Sequence, residues 1–289
     1  MHTHVVADEQ GQGVREVRVT VIEPGQEPRR PLRYEVEPGT TEQVEIQWDW
    51  RLWQATEGRV IEQANPRVTL VAEIAIDQVE DGEIRVSGEY VSLEIDRPAL
   101  EGEPLSPLVM ERILGPLVGA TFWAHLTDRG VELEVGFEPA RPMPPLSAEL
   151  AEGAGLDKPL DQLVEVMPAE PVGVGAVWEV HDRPESFGVV SERMLRREVV
   201  DWDEGMVTLG GPLTIKAEDQ EMVSRMTPGA RTQLLTTESK GEREARLRLD
   251  RLMPVTATLE GRTESEMQLE TRTQTDQIID WMMQFRAVE

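Results

Sequence analysis

Between Thr41 and Trp53 the chain alternates without a break. Val44, Ile46, Trp48, Trp50 and Leu52 share one parity, and Glu45, Gln47, Asp49 and Arg51 share the other. A helix, with its 3.6-residue period, scatters such a pattern around its axis; a strand, with a period of two, gathers it onto one face. The pattern recurs. Val17, Val19 and Val21 alternate with Glu16, Arg18 and Thr20, and Ala245, Leu247 and Leu249 alternate with Glu244, Arg246 and Arg248. One apolar and one charged face per strand is what an antiparallel sheet with a covered side and a wet side requires.

Turn signals divide these runs. Glu80-Asp81-Gly82 joins Val68 to Asp77 with Glu83 to Ile95, Asp128-Arg129-Gly130 joins Ala120 to Leu126 with Val131 to Phe137, and Asp203-Glu204-Gly205 joins Val189 to Trp202 with Met206 to Ile215. Ile84 and Val86 oppose Val91, Leu93 and Ile95 in parity, so a bulge at Gly88-Glu89 is expected to bring all five to one face and to bend the strand. Leu32 to Val36 reads as a short strand before Pro38-Gly39. Lys216 to Gly229 reads as a polar loop, and Ser239-Lys240-Gly241 as a turn. A further strand runs from Val255 through Met267 and Leu269, with a kink expected at Gly261.

The middle of the chain changes period. Ser106 is placed as a helix N-cap with Pro107 at the first helical position, and Met110, Ile113, Leu114 and Leu117 form a helical stripe. After a Pro-rich link, helices are expected around Leu146 to Ala151 and from Asp157 to about Val166. The segment Met167 to Val180 then acts as a pivot: Gly175 is expected to bend the chain into a strand anchored by a buried Trp178. The apolar end, Ile278 to Val288, fits a final strand with Ile279, Trp281, Met283 and Phe285 inward. A short helix burying Ile278, Ile279, Met282 and Phe285 is the alternative.

The expected architecture is therefore mainly β, a β-rich α+β fold: a curved antiparallel sheet, or half-barrel, packed against two or three helices. Residues 1–13 are polar and expected to be disordered. Residues 14–289 form a single half-barrel-like β domain with a helical insertion at about 105–166.

Composition narrows function. With 55 acidic and 29 basic residues the net charge is -26, which repels nucleic acid and anionic membranes and favours basic partners. The absence of cysteine excludes disulfides, thiol catalysis and Cys-based zinc sites. No apolar run is long enough for a membrane-spanning helix. Met1-His2-Thr3-His4 is not a signal peptide, so export implies a leader already removed. His125 and His181 lie in strands without a Gly-x-Ser-x-Gly serine, no Ca²⁺-loop spacing occurs among the acids, and no Lys follows Gly173-Val174-Gly175. No catalytic residue, metal or cofactor is expected, and the chain reads as a non-enzyme.

The order of parts carries a resemblance. The run Leu117 to Phe122, the Gly130 hairpin, Met167-Pro168 with Pro171 to Trp178, the segment Gly241 to Asp250 and then Pro254 to Gly261 resemble the DUF6263-type family of bacterial exported proteins and lipoproteins. The layout is similar to half-barrel envelope proteins of the LolA, LolB and LppX kind. The likeness spans roughly residues 68–269 and lies in turn and packing signatures. It implies a curved sheet wrapped over helices, a lipid-accepting cavity, and a place in the periplasm or cell envelope, with the cytoplasm as the alternative; the family's lipobox cysteine is lacking. Function is thus expected to be holding a lipid or other apolar ligand, with Trp48, Trp50, Trp123 and Trp178 lining the cavity. The alternative is an assembly protein that docks a partner through its acidic surface or its apolar C-terminal segment.

Overall fold

The alternating runs become one large antiparallel sheet. The computed structural model describes residues 2–7, 14–96, 103–104, 106–203, 205–223, 231–269 and 273–288. The first block contains β1 (His2–Ala7), β2 (Val14–Glu23), β3 (Thr41–Thr56), β4 (Arg59–Ala64), β5 (Val68–Glu80), β6 (Glu83–Ile95) and the two-residue β7 (Glu103–Pro104). The insertion holds α1 (Pro107–Leu114), a 3-10 turn (Gly115–Leu117), the hairpin β8 (Thr121–Thr127) and β9 (Glu132–Glu138), α2 (Pro145–Gly153) and α3 (Leu160–Leu163). After the pivot come β10 (Val177–Asp182), a small ribbon of β11 (Glu185–Ser186) and β12 (Val189–Val190), then β13 (Glu192–Asp203), β14 (Met206–Met222), β15 (Thr232–Arg248), β16 (Thr256–Leu269) and β17 (Gln274–Val288).

Neighbours in the main path run β1-β2-β10-β13-β14-β15-β16-β17-β3-β5-β6-β8-β9, with β4 and β7 branching from β3. Strands of up to 17 residues accumulate the right-handed twist of the polypeptide, and the sheet curls. Its edge strands β1 and β9 come within 8 Å of one another, with no ladder between them among the described residues. The C-terminal strand is the seam: β17 pairs with β16 on one side and with β3 on the other, joining the last-made hairpins to the first. The strand reading of the tail holds, with Met283 and Phe285 buried.

One face is core. Val44, Ile46, Leu70, Ile74, Phe122 and Leu209 point inward against Met110, Leu114 and Leu117 of the α1 region and Leu160 and Leu163 of α3. No described helix is long and apolar enough to cross a membrane.

Several local expectations are corrected. His2–Ala7, placed in a disordered end, pair with β2; residues 8–13 lie outside the described residues. Leu32, Tyr34 and Val36 are buried but form no strand: Tyr34 N–H donates to Asp128 O and Glu35 N–H to Leu249 O, so the segment threads between partners instead of joining a ladder. The bulge in β6 falls at Val91, between Tyr90 and Ser92. Tyr90 takes the core position because its hydroxyl reaches Leu156 O at 2.8 Å, and Gly88 instead makes room for the Phe122 ring, which a Cβ there would meet at 2.4 Å. α3 stops at Leu163, where Val164 turns extended and Glu165 is drawn towards the sheet. Lys216 to Met222 continue β14, and Ser239-Lys240-Gly241 lies in mid-strand in β15. The local turn preference there loses to ladders on both sides, with Gly241 paired to Leu213 and to Gly261. β4, joined to β3 through Glu57 and Gly58 at positive φ, is, like β1, a strand that periodicity missed.

Candidate ligand-binding face

The long strands overrun the helices, and the apolar face continues past the core. Register aligns Leu213, Gly241, Gly261, Trp281 and Trp50 in one cross-strand row on the inner face. The next row outward is Ile215, Ser239, Thr263, Ile279 and Leu52. Trp50, Leu52, Ile279 and Trp281 are all half-buried, and Leu52 and Ile279 lie outside the packed core cluster. The Trp281 ring lies over the two glycines: a Cβ at Gly261 would meet it at 2.7 Å and one at Gly241 at 2.9 Å. Its Nε1–H donates to Thr263 Oγ1 at 3.0 Å. Hydroxyls edge the face, with Thr237 bonded to Ser265 at 2.8 Å and Thr56 to Thr275 at 3.1 Å. Neither row carries a charge.

The four tryptophans expected to line a single cavity do not meet. Trp48 and Trp50 are neighbours, with ring centroids 6.1 Å apart. Trp178 is fully buried in the core on β10, its Nε1–H donating to Val166 O at 3.0 Å. Trp123 has the opposite parity to Phe122 and Ala124, is 42% exposed, and covers Gly136 on the outer side of the sheet. Sequence reasoning grouped the four by residue type; depth and face separate them. Trp281, legible from the alternation of the tail, replaces them beside Trp50. Asn65 carried no signal at all. Its backbone N–H donates to Trp50 O at 3.1 Å and extends the β3–β4 register by one step.

Buried ion pairs pin the helical insertion to the sheet. Arg193 on β13 bridges Asp161 of α3 and Asp182 of β10, each at 2.6 Å. Glu165 accepts from Arg197 of β13 at 2.9 Å and from Arg243 of β15. Burial raises the Glu165 carboxyl, but Arg243 and Arg197 outweigh it and hold the group at about 2. Burial pushes the Tyr34 and Tyr90 hydroxyls well up, so both stay neutral donors and acceptors. The phenol oxygen of Tyr34 accepts from Glu165 N–H at 2.9 Å.

The outer face has a depression of about 760 Å³ where β14, β15, β16, β17 and β3 run side by side. Its cations are already paired: Arg262 with Asp280 at 2.6 Å, Arg67 with Asp49 at 2.9 Å and Lys240 with Glu238 at 2.7 Å. Glu242 and Glu260 stand directly opposite each other in it, and among the described residues neither meets a cation. His125 pairs with Glu83 at 2.8 Å and His181 with Glu179 at 3.2 Å. Among the described residues no three His, Asp or Glu side chains converge to hold a metal.

No protein-family model matches the chain, and no curated protein does.

Proposed function

We propose that this chain is a non-enzymatic bacterial envelope protein that holds a lipid or other amphiphilic ligand on the uncharged inner face of its half-barrel. One observation carries the reading. The stripe Trp50, Leu52, Ile279 and Trp281 continues the apolar face beyond the core yet stays half-buried, and among the described residues Leu52 and Ile279 lie outside the packed core cluster. An apolar stripe bordered by a few hydroxyls and open at one end is the usual composition of a ligand site. Around that end, Val60, Ile61, Val223 and Leu269 are exposed near the strand tips. The pinned insertion favours entry past these tips rather than by lifting the helices. The envelope location rests on the resemblance to exported half-barrel proteins.

The test is titration of the purified protein with an apolar fluorescent probe, together with native mass spectrometry of protein isolated from its source. Probe binding that Ile279→Asp abolishes, without lowering the melting temperature to match, is the expected result. Binding unaffected by Ile279→Asp and Leu52→Asp would sink the reading.

A second reading is docking of a basic partner in the outer depression, favoured by the unpaired Glu242 and Glu260. Like charges directly opposite on a sheet destabilise it and would be relieved by a cation between them. The apolar tail is taken up as β17, so the acidic face is the docking route that remains. Loss of basic-peptide binding in Glu242→Gln/Glu260→Gln, with probe binding intact, would favour it.

A further inference from the structure

Two neighbours on the inner face carry polar atoms that nothing among the described residues satisfies. Asn65 is 2% exposed, and neither its amide nitrogen nor its amide oxygen has a hydrogen-bond partner. Trp50, opposite it, is half-buried, yet its indole Nε1 is buried and unpartnered as well. Register places both side chains on one face, since Arg51 faces Ala64 and Asn65 N–H continues the ladder to Trp50 O. Buried polar groups are nearly always hydrogen-bonded, so three bare atoms on one cross-strand pair call for a partner from outside the chain.

Resting on the reading of this face as a ligand-holding one, we propose that Trp50 and Asn65 form the polar end of the site and take a neutral head group that both donates and accepts, of the primary carboxamide class. Trp50 Nε1 and Asn65 Nδ2 can only donate, and Asn65 Oδ1 can only accept. A carboxylate offers nothing to Asn65 Oδ1, and an ammonium offers nothing to either nitrogen. A carboxamide answers both sides. Charge independently argues against a cationic head. On β15, β16, β17 and β3, the row of Gly241, Gly261, Trp281 and Trp50 and the row of Ser239, Thr263, Ile279 and Leu52 contain no ionisable side chain. Arg243, one row deeper, shares the single carboxylate of Glu165 with Arg197 and keeps its Nη2 buried without a partner among the described residues, and Arg67 is held by Asp49 on the outer face. A cationic head would therefore lose its water beside an excess of positive charge without gaining a counter-charge, which is costly, and a carboxylate, whatever it gains from Arg243, still leaves the acceptor Asn65 Oδ1 unanswered. From this pair the ligand's tail runs along Leu52 and Ile279 to the open end.

The experiment is displacement of the bound fluorescent probe at neutral pH by dodecanamide, dodecanoate and dodecyltrimethylammonium, which share one tail. The amide is expected to displace the probe at a concentration roughly tenfold lower than the two ions, the effect of about one good hydrogen bond and an avoided buried charge. Asn65→Leu is expected to erase that preference while the probe still binds, and Trp50→Phe is expected to erase it as well, read as the ratio of displacing concentrations because the lost indole weakens probe binding itself. Equal displacement by all three on the unaltered protein overturns the inference alone. So does an amide preference that survives both substitutions, because the bare atoms are then served by water. A probe that fails to bind overturns the ligand-holding reading and this inference with it. The head-group comparison uses the unaltered chain, so it decides even where a variant folds poorly.

Discussion

Glu165 at the end of the helical insertion and Arg243 on β15, 78 residues apart, share a buried hydrogen-bonded ion pair. Arg197 on β13 completes a triad around the one carboxylate. Removing one partner of such a group strands a buried charge, whereas the intact group is close to neutral in its effect on stability. Glu165→Gln should leave two buried cations without their anion and destabilise the protein by roughly 3–5 kcal/mol in urea denaturation. A loss no larger than that of the exposed control Glu192→Ala would show that the triad is not what pins the insertion.

The same carboxylate sets an acid limit. Its ordinary value is 4.5 and in the fold it is held at about 2. The folded state thus binds the proton less tightly than the unfolded state, so the stabilisation is complete above pH 4.5 and is lost as pH falls from 4.5 towards 2. Urea midpoints measured across that window should fall less steeply for Glu165→Gln than for the unaltered protein. Parallel curves would assign the acid sensitivity to other carboxylates.

Trp178 links the pivot to the end of the helical insertion through Val166 O. Trp178→Ala should cost about 3–5 kcal/mol, the range for emptying a large aromatic site in a core. Trp178→Phe keeps most of the packing but leaves that carbonyl without its donor, at about 1 kcal/mol beyond the volume change. Melting temperatures should rank unaltered, then Phe, then Ala; an Ala variant that melts with the Phe variant would contradict the burial.

Gly261 is needed for its lack of a side chain. A Cβ there would stand 2.3 Å from Lys240 O and 2.7 Å from the Trp281 ring. Gly261→Ala should destabilise by about 1–3 kcal/mol and alter tryptophan fluorescence. Adding Trp281→Leu should restore part of the loss, because the ring can be removed but the carbonyl cannot. Full additivity of the two changes would mean that they do not share a site.

A chain ending at Thr273 lacks β17 and with it the ladders to β16 and β3. It should lose cooperative unfolding and bind an apolar dye, since two rows of edge groups and the apolar face between them open at once. An unchanged melting transition would show that the two blocks hold together without the seam.

Strand identity, parity and most turns were legible in the chain because they are local: a period of two, or a Gly after Asp, needs no distant partner to be read. From them came the mainly β fold, the helical insertion, the Trp48 and Trp50 stripe and the inward set of the last strand. Tertiary structure decided what depends on partners. Ser239-Lys240-Gly241 reads as a turn by itself and becomes mid-strand because β14 and β16 offer ladders on both sides. Val91 yields its core place to Tyr90 because Leu156 O, 66 residues away, accepts the tyrosine hydroxyl. Trp123 and Trp178 look alike in sequence, yet one lies on the outer surface and the other in the core, since parity gives a side and not a depth. Asn65 and Trp50 stand opposite one another only through the β3–β4 register. Polar atoms left bare by such an encounter are invisible in one dimension, because a hydrogen bond is unmade only when every possible partner has been placed.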